Sequence, residues 1–292
     1  MDARASGVSV MAERCAVLGS PIGHSKSPAL HRAAYRVLGL DWRYTAVETT
    51  EETLASVIAD PRALWRGLSL TMPLKQAVRP LLDEEDLVAR VTGAVNTVLV
   101  ERDAVARMRG FNTDVAGIVR ALAEAEVACA ERVEILGAGA TAASALAAAA
   151  EMGAERVTVT VRAPERAVSL RPVASALGVL LDIRPFSAWS EGSVSPLVIS
   201  TLPGGASDGL TVPEAVVAAS TLFDVAYAPW PSSLARRWSA AGSPVVSGLG
   251  MLLHQALMQV RVFTGGDPTV SLPREEAVLE AMRAAITGDD AL

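Results

Sequence analysis

The 292-residue chain holds only two cysteines, Cys15 and Cys129, and three histidines, at positions 24, 31 and 254. Neither cysteine lies in a CxxC, and the histidines lack metal-ligand spacing, so no disulfide scaffold and no metal site are expected. Both cysteines sit in apolar stretches, which suits a reducing compartment. Mean hydropathy is +0.33, yet alanine and valine carry much of it, and no charge-free run reaches the roughly 18–20 residues of a membrane span. Basic charge is also scarce. Lys and Arg number 26 against 32 Asp and Glu, a net charge of −6, with no basic stripe to hold nucleic acid. An anionic ligand must therefore be caught by local basic or backbone groups. A P-loop and a nucleophile elbow are missing too. The first dozen residues, MDARASGVSVMA, mix charge with small side chains and read as a loose extension, not a signal peptide. A cytoplasmic protein acting on a small molecule is expected, without nucleic acid or membrane partners, as a monomer or homodimer.

What is present is apolar mass in a regular order. Hydrophobic residues make up 51% of the chain, and its length is about twice that of a usual domain, so two domains are expected. Strand-like and helix-like segments alternate from Cys15 onward, the pattern of an α/β fold with mainly parallel sheets. Strands are predicted at 15–19, 42–47, 67–72, 96–100 and 107–111, the last two flanking a turn at Arg102-Asp103, with Pro73 closing the third. Helices are predicted at 28–38, 54–59 and 115–125. Ser27 is the expected N-cap of the first helix, with Pro28 at its first position and Gly39 as its stop. A second series begins at Arg132, with strands at 133–136, 156–161, 197–200 and 222–225 and helices at 140–152, 248–262 and 274–287. Residues 184–196 read as an irregular connection. The natural cut gives one domain at 115–245 and another from 1–114 plus 246–292.

Ile135-Leu-Gly-Ala-Gly-Ala-Thr-Ala142 stands where a strand turns into a helix, the setting a dinucleotide fingerprint needs. Gly137 permits the turn, Gly139 lets backbone approach a pyrophosphate, and small Ala142 packs helix on strand. Without a ligand the same residues make a plain tight turn. At the end of the next strand, where an acid would hold the ribose of NAD, the sequence reads Val161-Arg162-Ala-Pro-Glu-Arg166. Two arginines there suit the 2′-phosphate of NADP, although surface arginines are common. Ser25 and Ser27 place two hydroxyls at a helix start that favours an anion such as a carboxylate. Lys75 and Asp114, meeting in a cleft, can exchange a proton with a substrate oxygen. Taken singly, Lys75 is an ordinary solvated lysine and Asp114 or Thr113 an ordinary helix cap. Thr71, Asn96 and Gln255 can bond substrate hydroxyls, and each has an unremarkable alternative in a turn or on a helix.

Taken in order, SPIGHSKSP at 20–28, LTMPLK at 70–75, GAVNT at 93–97, NTD at 112–114, GAGAT at 137–141, DVAYAP at 224–229 and GLGMLLHQA at 248–256 resemble the shikimate dehydrogenase family over about residues 14–285. The resemblance implies an N-terminal substrate domain and a Rossmann-type NADP-binding domain with a cleft between them. It also implies reversible NADPH-dependent reduction of 3-dehydroshikimate to shikimate. By it, Ser25, Ser27, Thr71, Lys75, Asn96, Asp114, Tyr227 and Gln255 line the substrate site, with Lys75 and Asp114 as the acid–base pair and Tyr227 reaching toward the substrate carboxylate. The cofactor side comprises Gly137, Ala138, Gly139, Ala140, Thr141, Arg162, Arg166, Thr201, Leu202, Pro203, Gly248 and Met251. Three places depart from the family pattern. Val161-Arg162-Ala163 replaces the usual Asn-Arg-Thr, which removes two cofactor contacts; Ser69 stands where asparagine is common; and Thr201-Leu-Pro-Gly replaces Ala-Thr-Pro-x-Gly. The alternatives are an NAD-preferring quinate/shikimate dehydrogenase and a catalytically silent module that senses shikimate-type ligands. The second of these has no need for both Lys75 and Asp114.

Overall fold

A computed structural model of the chain describes residues 12–102, 106–189 and 194–287. The terminal extension lies, but for residue 12, outside the described residues, as does Asp103 of the turn read at Arg102-Asp103.

The first sheet is built from β1 (Arg14–Gly19), β2 (Arg43–Glu48), β3 (Trp65–Leu70), β4 (Glu84–Glu85), β5 (Thr97–Arg102) and β6 (Ala106–Phe111), in the order β2-β1-β3-β5-β6-β4. β1 runs parallel to β2 and β3, and β4 parallel to β6, while β5 is antiparallel to β3 and β6. Between these strands lie α1 (Ser27–Leu38), α2 (Glu51–Ala59), α3 (Leu74–Ala77) and α4 (Leu87–Thr92). Helix α5 (Asp114–Glu124) then leads out of β6 toward the second sheet.

The second sheet comprises β7 (Arg132–Leu136), β8 (Arg156–Val161), β9 (Leu180–Pro185), β10 (Leu197–Ser200), β11 (Thr221–Asp224) and β12 (Val245–Ser247). Its order is β12-β11-β10-β7-β8-β9 and every pairing is parallel. The chain runs outward one way from β7 to β9 and the other way from β10 to β12. The crevice at the carboxyl end of β7 is thus the switch point where open α/β sheets take their ligands. Its helices are α6 (Ala140–Glu151), α7 (Arg171–Leu177), α8 (Glu214–Ala219) and α9 (Ser233–Ala240), followed by α10 (Gly248–Gly265) and α11 (Glu275–Thr287).

Side-chain size explains the packing. On β8, β-branched Val157, Val159 and Val161 are buried on one face and Thr160 on the other, as suits a strand covered on both faces. The alanines of α6 from Ala142 to Ala149 are buried with Ser144 and Leu146, and their small volume lets α6 fit closely beside α5. Helix α10 is buried without interruption from Leu253 to Phe263. It touches both cores, Met251 packing in one and Leu253, Leu257 and Phe263 in the other. Such a helix has little solvent face, so polar His254, Gln255, Gln259 and Arg261 are buried along with its apolar side chains.

Several expectations need correction. The stretch 184–196 is not irregular throughout, since Arg184 and Pro185 close β9, an edge strand. Its partly exposed Leu-Leu-Asp-Ile-Arg-Pro has the proline that only an edge tolerates, which hid it. Strand β3 ends at Leu70 rather than Met72, because Thr71 and Met72 turn away ahead of Pro73 and α3. Ser27 is inside α1 rather than its N-cap. Lys26 occupies that place but its side chain does not cap the helix, and the Ser27 amide instead donates to Ser25 Oγ at 3.3 Å. Thr113 precedes α5 without capping it by its side chain, and the Asp114 amide donates to Asn112 Oδ1 at 3.0 Å. Gly39 does end α1, at φ 69°.

Candidate active site

The ends of β1 and β3 from one sheet and of β7, β8, β10 and β11 from the other face a single cavity of about 960 Å³. Every residue singled out above as a substrate or cofactor contact lines it.

Its chemical centre is an ion pair. Lys75 Nζ lies 2.6 Å from Asp114 Oδ2, the two side chains being 12% and 4% exposed. Lys75 comes from α3, just beyond β3, and Asp114 from the first turn of α5, so the pair joins two connections of one sheet. Asp114 Oδ1 accepts a bond from Asn96 Nδ2 at 2.8 Å, which leaves the carboxylate held at both oxygens. Lys75 Nζ also comes within 3.5 Å of Thr141 Oγ1 on α6, so the centre touches the glycine turn across the cleft.

Asn96 lines the cavity and also binds the residues around the centre. Its Oδ1 accepts from the Thr113 amide at 2.9 Å and from Thr97 Oγ1 at 2.8 Å, and its Nδ2 also reaches Thr113 Oγ1 at 2.9 Å. The amide is therefore chiefly a clamp on Asp114 and Thr113. Gln255 is held too, its Nε2 donating to Leu252 O at 2.8 Å. Ser25 and Ser27 form the opposite wall. Free backbone amides are few there, because Pro28 has none, Ser27 N–H turns to Ser25, and Ala29 and Leu30 donate to Lys26 O. An anion at this wall meets hydroxyls and the positive helix end rather than a row of amides. Tyr227 follows β11 in a loop shaped by Asp224, whose oxygens accept from Ser232 Oγ at 2.6 Å and the Ala226 amide at 3.2 Å. Burial pushes the Tyr227 phenol above its ordinary range, so it stays a donor at neutral pH.

On the other side the glycine turn has the shape a dinucleotide requires. Gly137 takes φ 112°, and a Cβ there would stand 2.5 Å from Thr201 Oγ1. Gly139, the N-cap of α6, has open space where a Cβ would stand, so a phosphate can approach its backbone. Thr201 Oγ1 donates to Leu136 O at 2.8 Å and ties β10 to the turn. Gly248 opens α10 against Val225, whose carbonyl oxygen would lie 2.0 Å from any Cβ. Both arginines are exposed, Arg162 directly after β8 and Arg166 on the short 3₁₀ helix Pro164–Leu170 that follows. Neither has an acidic partner among the described residues, and no acid lines the cavity beside them. These features fit a nucleotide that bears a 2′-phosphate. Among the cleft-lining side chains that sequence reasoning did not name as contacts are Ser69 and Gln259. The spacing of Gln259 four residues after Gln255 on one helix was the available signal.

Comparison with known proteins agrees with this geometry. Residues 17–98 match the family described as shikimate dehydrogenase substrate binding domain. A shikimate dehydrogenase (NADP(+)) of Rubrobacter xylanophilus is 36% identical over 280 residues, which cover 94% of this chain and 95% of that one. The crystal structure of Mycobacterium tuberculosis shikimate dehydrogenase superposes with a TM-score of 0.79 at 37% identity, covering 93% of this chain and 99% of its own. The Thermus thermophilus enzyme, solved in complex with NADP(H) and shikimate, gives 0.77 at 34% identity, with coverage of 94% and 99%.

Proposed function

The chain belongs to the shikimate dehydrogenase family, and from that premise we propose that its cleft interconverts 3-dehydroshikimate and shikimate with NADP(H). The observation that carries this reading is the Lys75–Asp114 pair, 2.6 Å apart, in one cavity with the glycine turn and the two arginines.

NADP, when bound, supplies the hydride acceptor for shikimate oxidation or, as NADPH, the hydride for the reverse. The protein orients the reactants and handles the proton. Gly137, Ala138, Gly139, Ala140 and Thr141 hold the pyrophosphate at the start of α6, and Arg162 and Arg166 hold the 2′-phosphate. Thr201, Leu202, Pro203, Gly248 and Met251 complete that side of the cleft. Ser25 and Ser27, with Tyr227, anchor the substrate carboxylate, and Thr71 and Gln255 bond the ring. Oxidation of the ring hydroxyl leaves a carbonyl and releases one proton, which the Lys75–Asp114 pair accepts. Asn96 keeps Asp114 turned toward Lys75 and thereby fixes where that proton is taken up.

Two domains follow from the same reading, a substrate domain of 1–114 plus 246–292 and an NADP domain of 115–245. Strands β1–β6 fall in the first and β7–β11 in the second, while β12 at Val245–Ser247 spans the proposed cut. The test follows absorbance of reduced cofactor with shikimate or quinate, each offered with NADP and with NAD. Rapid reduction with shikimate and NADP is expected. No reduction with shikimate, or a preference for NAD and quinate, overturns the reading.

A further inference from the structure

Helix α6 starts at the glycine turn, and the same end of it leans on the acid–base centre. Lys75 Nζ, which donates to Asp114 Oδ2 at 2.6 Å, also donates to Thr141 Oγ1 in the first turn of α6 at 3.5 Å. Three residues on, Ser144 Oγ accepts from Asn112 Nδ2 at 3.0 Å, and Asn112 Oδ1 accepts the Asp114 amide at 3.0 Å. Side chains three apart share one face of a helix. That face of α6 therefore meets both members of the pair, Lys75 directly and Asp114 through Asn112. Ser144 and Asn112 are buried, as befits a structural tie, whereas Thr141 is half-buried and lines the cavity. Its partner is the group that moves the proton.

An ammonium has three N–H donors and rides on a flexible four-carbon stem. Asp114 alone would fix its distance from one carboxylate oxygen and leave it free to swing about that point. Asp114 Oδ2 on α5 and Thr141 Oγ1 on α6 together hold two of its three N–H groups, which leaves one for the oxygen that reacts. The backbone at 141 serves a separate purpose, since the amides of the first turn of α6 stay open to an anion whatever side chain stands there. We propose that Thr141 is a positioning residue for the reaction, its hydroxyl holding the Lys75 ammonium toward the substrate oxygen. This goes beyond the contact of its backbone with the cofactor, and it rests on the reading of the cleft as a shikimate and NADP site.

Two substitutions in the full chain separate the hydroxyl from the shape of the side chain. Thr141→Val keeps the shape and loses the hydroxyl, while Thr141→Ser keeps the hydroxyl and loses the methyl group. For the wild type and both variants, rapid mixing gives the single-turnover rate of NADP reduction at saturating shikimate, and calorimetry gives the NADP dissociation constant. Thr141→Val should lower the rate about tenfold with the dissociation constant within about twofold of the wild type, and Thr141→Ser should stay within about threefold in rate. An unchanged rate in Thr141→Val, an equal loss in both variants, or a loss confined to NADP affinity would each overturn the inference. Packing of the methyl group would give the reverse order, with the valine variant the faster of the two. Should Thr141→Val not fold, Thr141→Ala carries the test, with the same loss expected and an unchanged rate overturning the inference. A wild type that does not oxidise shikimate at all overturns the functional reading and this inference together.

Discussion

Ser25 Oγ accepts the backbone N–H of Ser27 at 3.3 Å, so the hydroxyl that precedes α1, not the one that opens it, closes the helix start. This reverses the roles expected from sequence. Ser25→Ala should cost stability, up to about 1 kcal/mol as for a lost cap, and should also raise the KM for shikimate. Ser27→Ala should raise that KM with a smaller loss of stability. Urea unfolding midpoints and shikimate KM values for both variants check this, and unchanged shikimate affinity in both removes the serines from the site.

Cofactor choice is expected to rest on Arg162 and Arg166. Both are exposed and neither meets an acid among the described residues, which leaves their guanidinium groups open to a 2′-phosphate. A charge-assisted bond of this kind is worth roughly 1.5–3 kcal/mol. Arg162→Ala should therefore raise the NADP KM by about tenfold or more and leave the NAD KM within about twofold. Equal changes for both cofactors would mean that Arg162 is only a surface side chain.

Acid should weaken the fold through His31. Burial drives this ring from its ordinary 6.5 down to about 3. The native state keeps it neutral while the unfolded chain takes up a proton, so protonation favours unfolding. The stability contribution is whole above about pH 6.5 and is lost progressively between there and about pH 3. At pH 5 the loss from this ring amounts to about 2 kcal/mol. The rings around it, Tyr35, Tyr44 and Phe263, carry no charge in that window. Unfolding free energies at pH 7 and pH 5 should differ more in the wild type than in His31→Gln. Identical pH slopes would show that another group governs the acid limb.

Much of this was legible in the chain itself, for identifiable reasons. Strands 156–161 and 197–200 were read to the residue, because Arg-Val-Thr-Val-Thr-Val and Leu-Val-Ile-Ser are rich in the β-branched residues that favour strands. The segments that escaped were short or at an edge. β4 and β12 have two and three residues, and β9 alternates on a half-exposed edge. Cleft residues could be named because they sit in spaced motifs at strand ends. What each amide does there could not be read, since it depends on partners far along the chain. Asn96 turns to Asp114 across 18 residues and Gln259 to Ser69 across 190. Helix caps failed on a smaller scale, because Ser25 and Ser27 are both competent and only backbone geometry decides between them.

The central claim is that Lys75 and Asp114, 2.6 Å apart, act as one proton-handling unit, and turnover of Lys75→Ala, Asp114→Asn and the double variant tests it most directly. General acid–base help is typically worth about 10²–10⁴-fold. Each single variant should thus lose at least about 100-fold in kcat for shikimate oxidation while still binding NADP. The double variant should be little worse than the worse single one, because either loss already disables the pair. Near-normal turnover in Lys75→Ala, or losses that multiply in the double variant, would contradict the account.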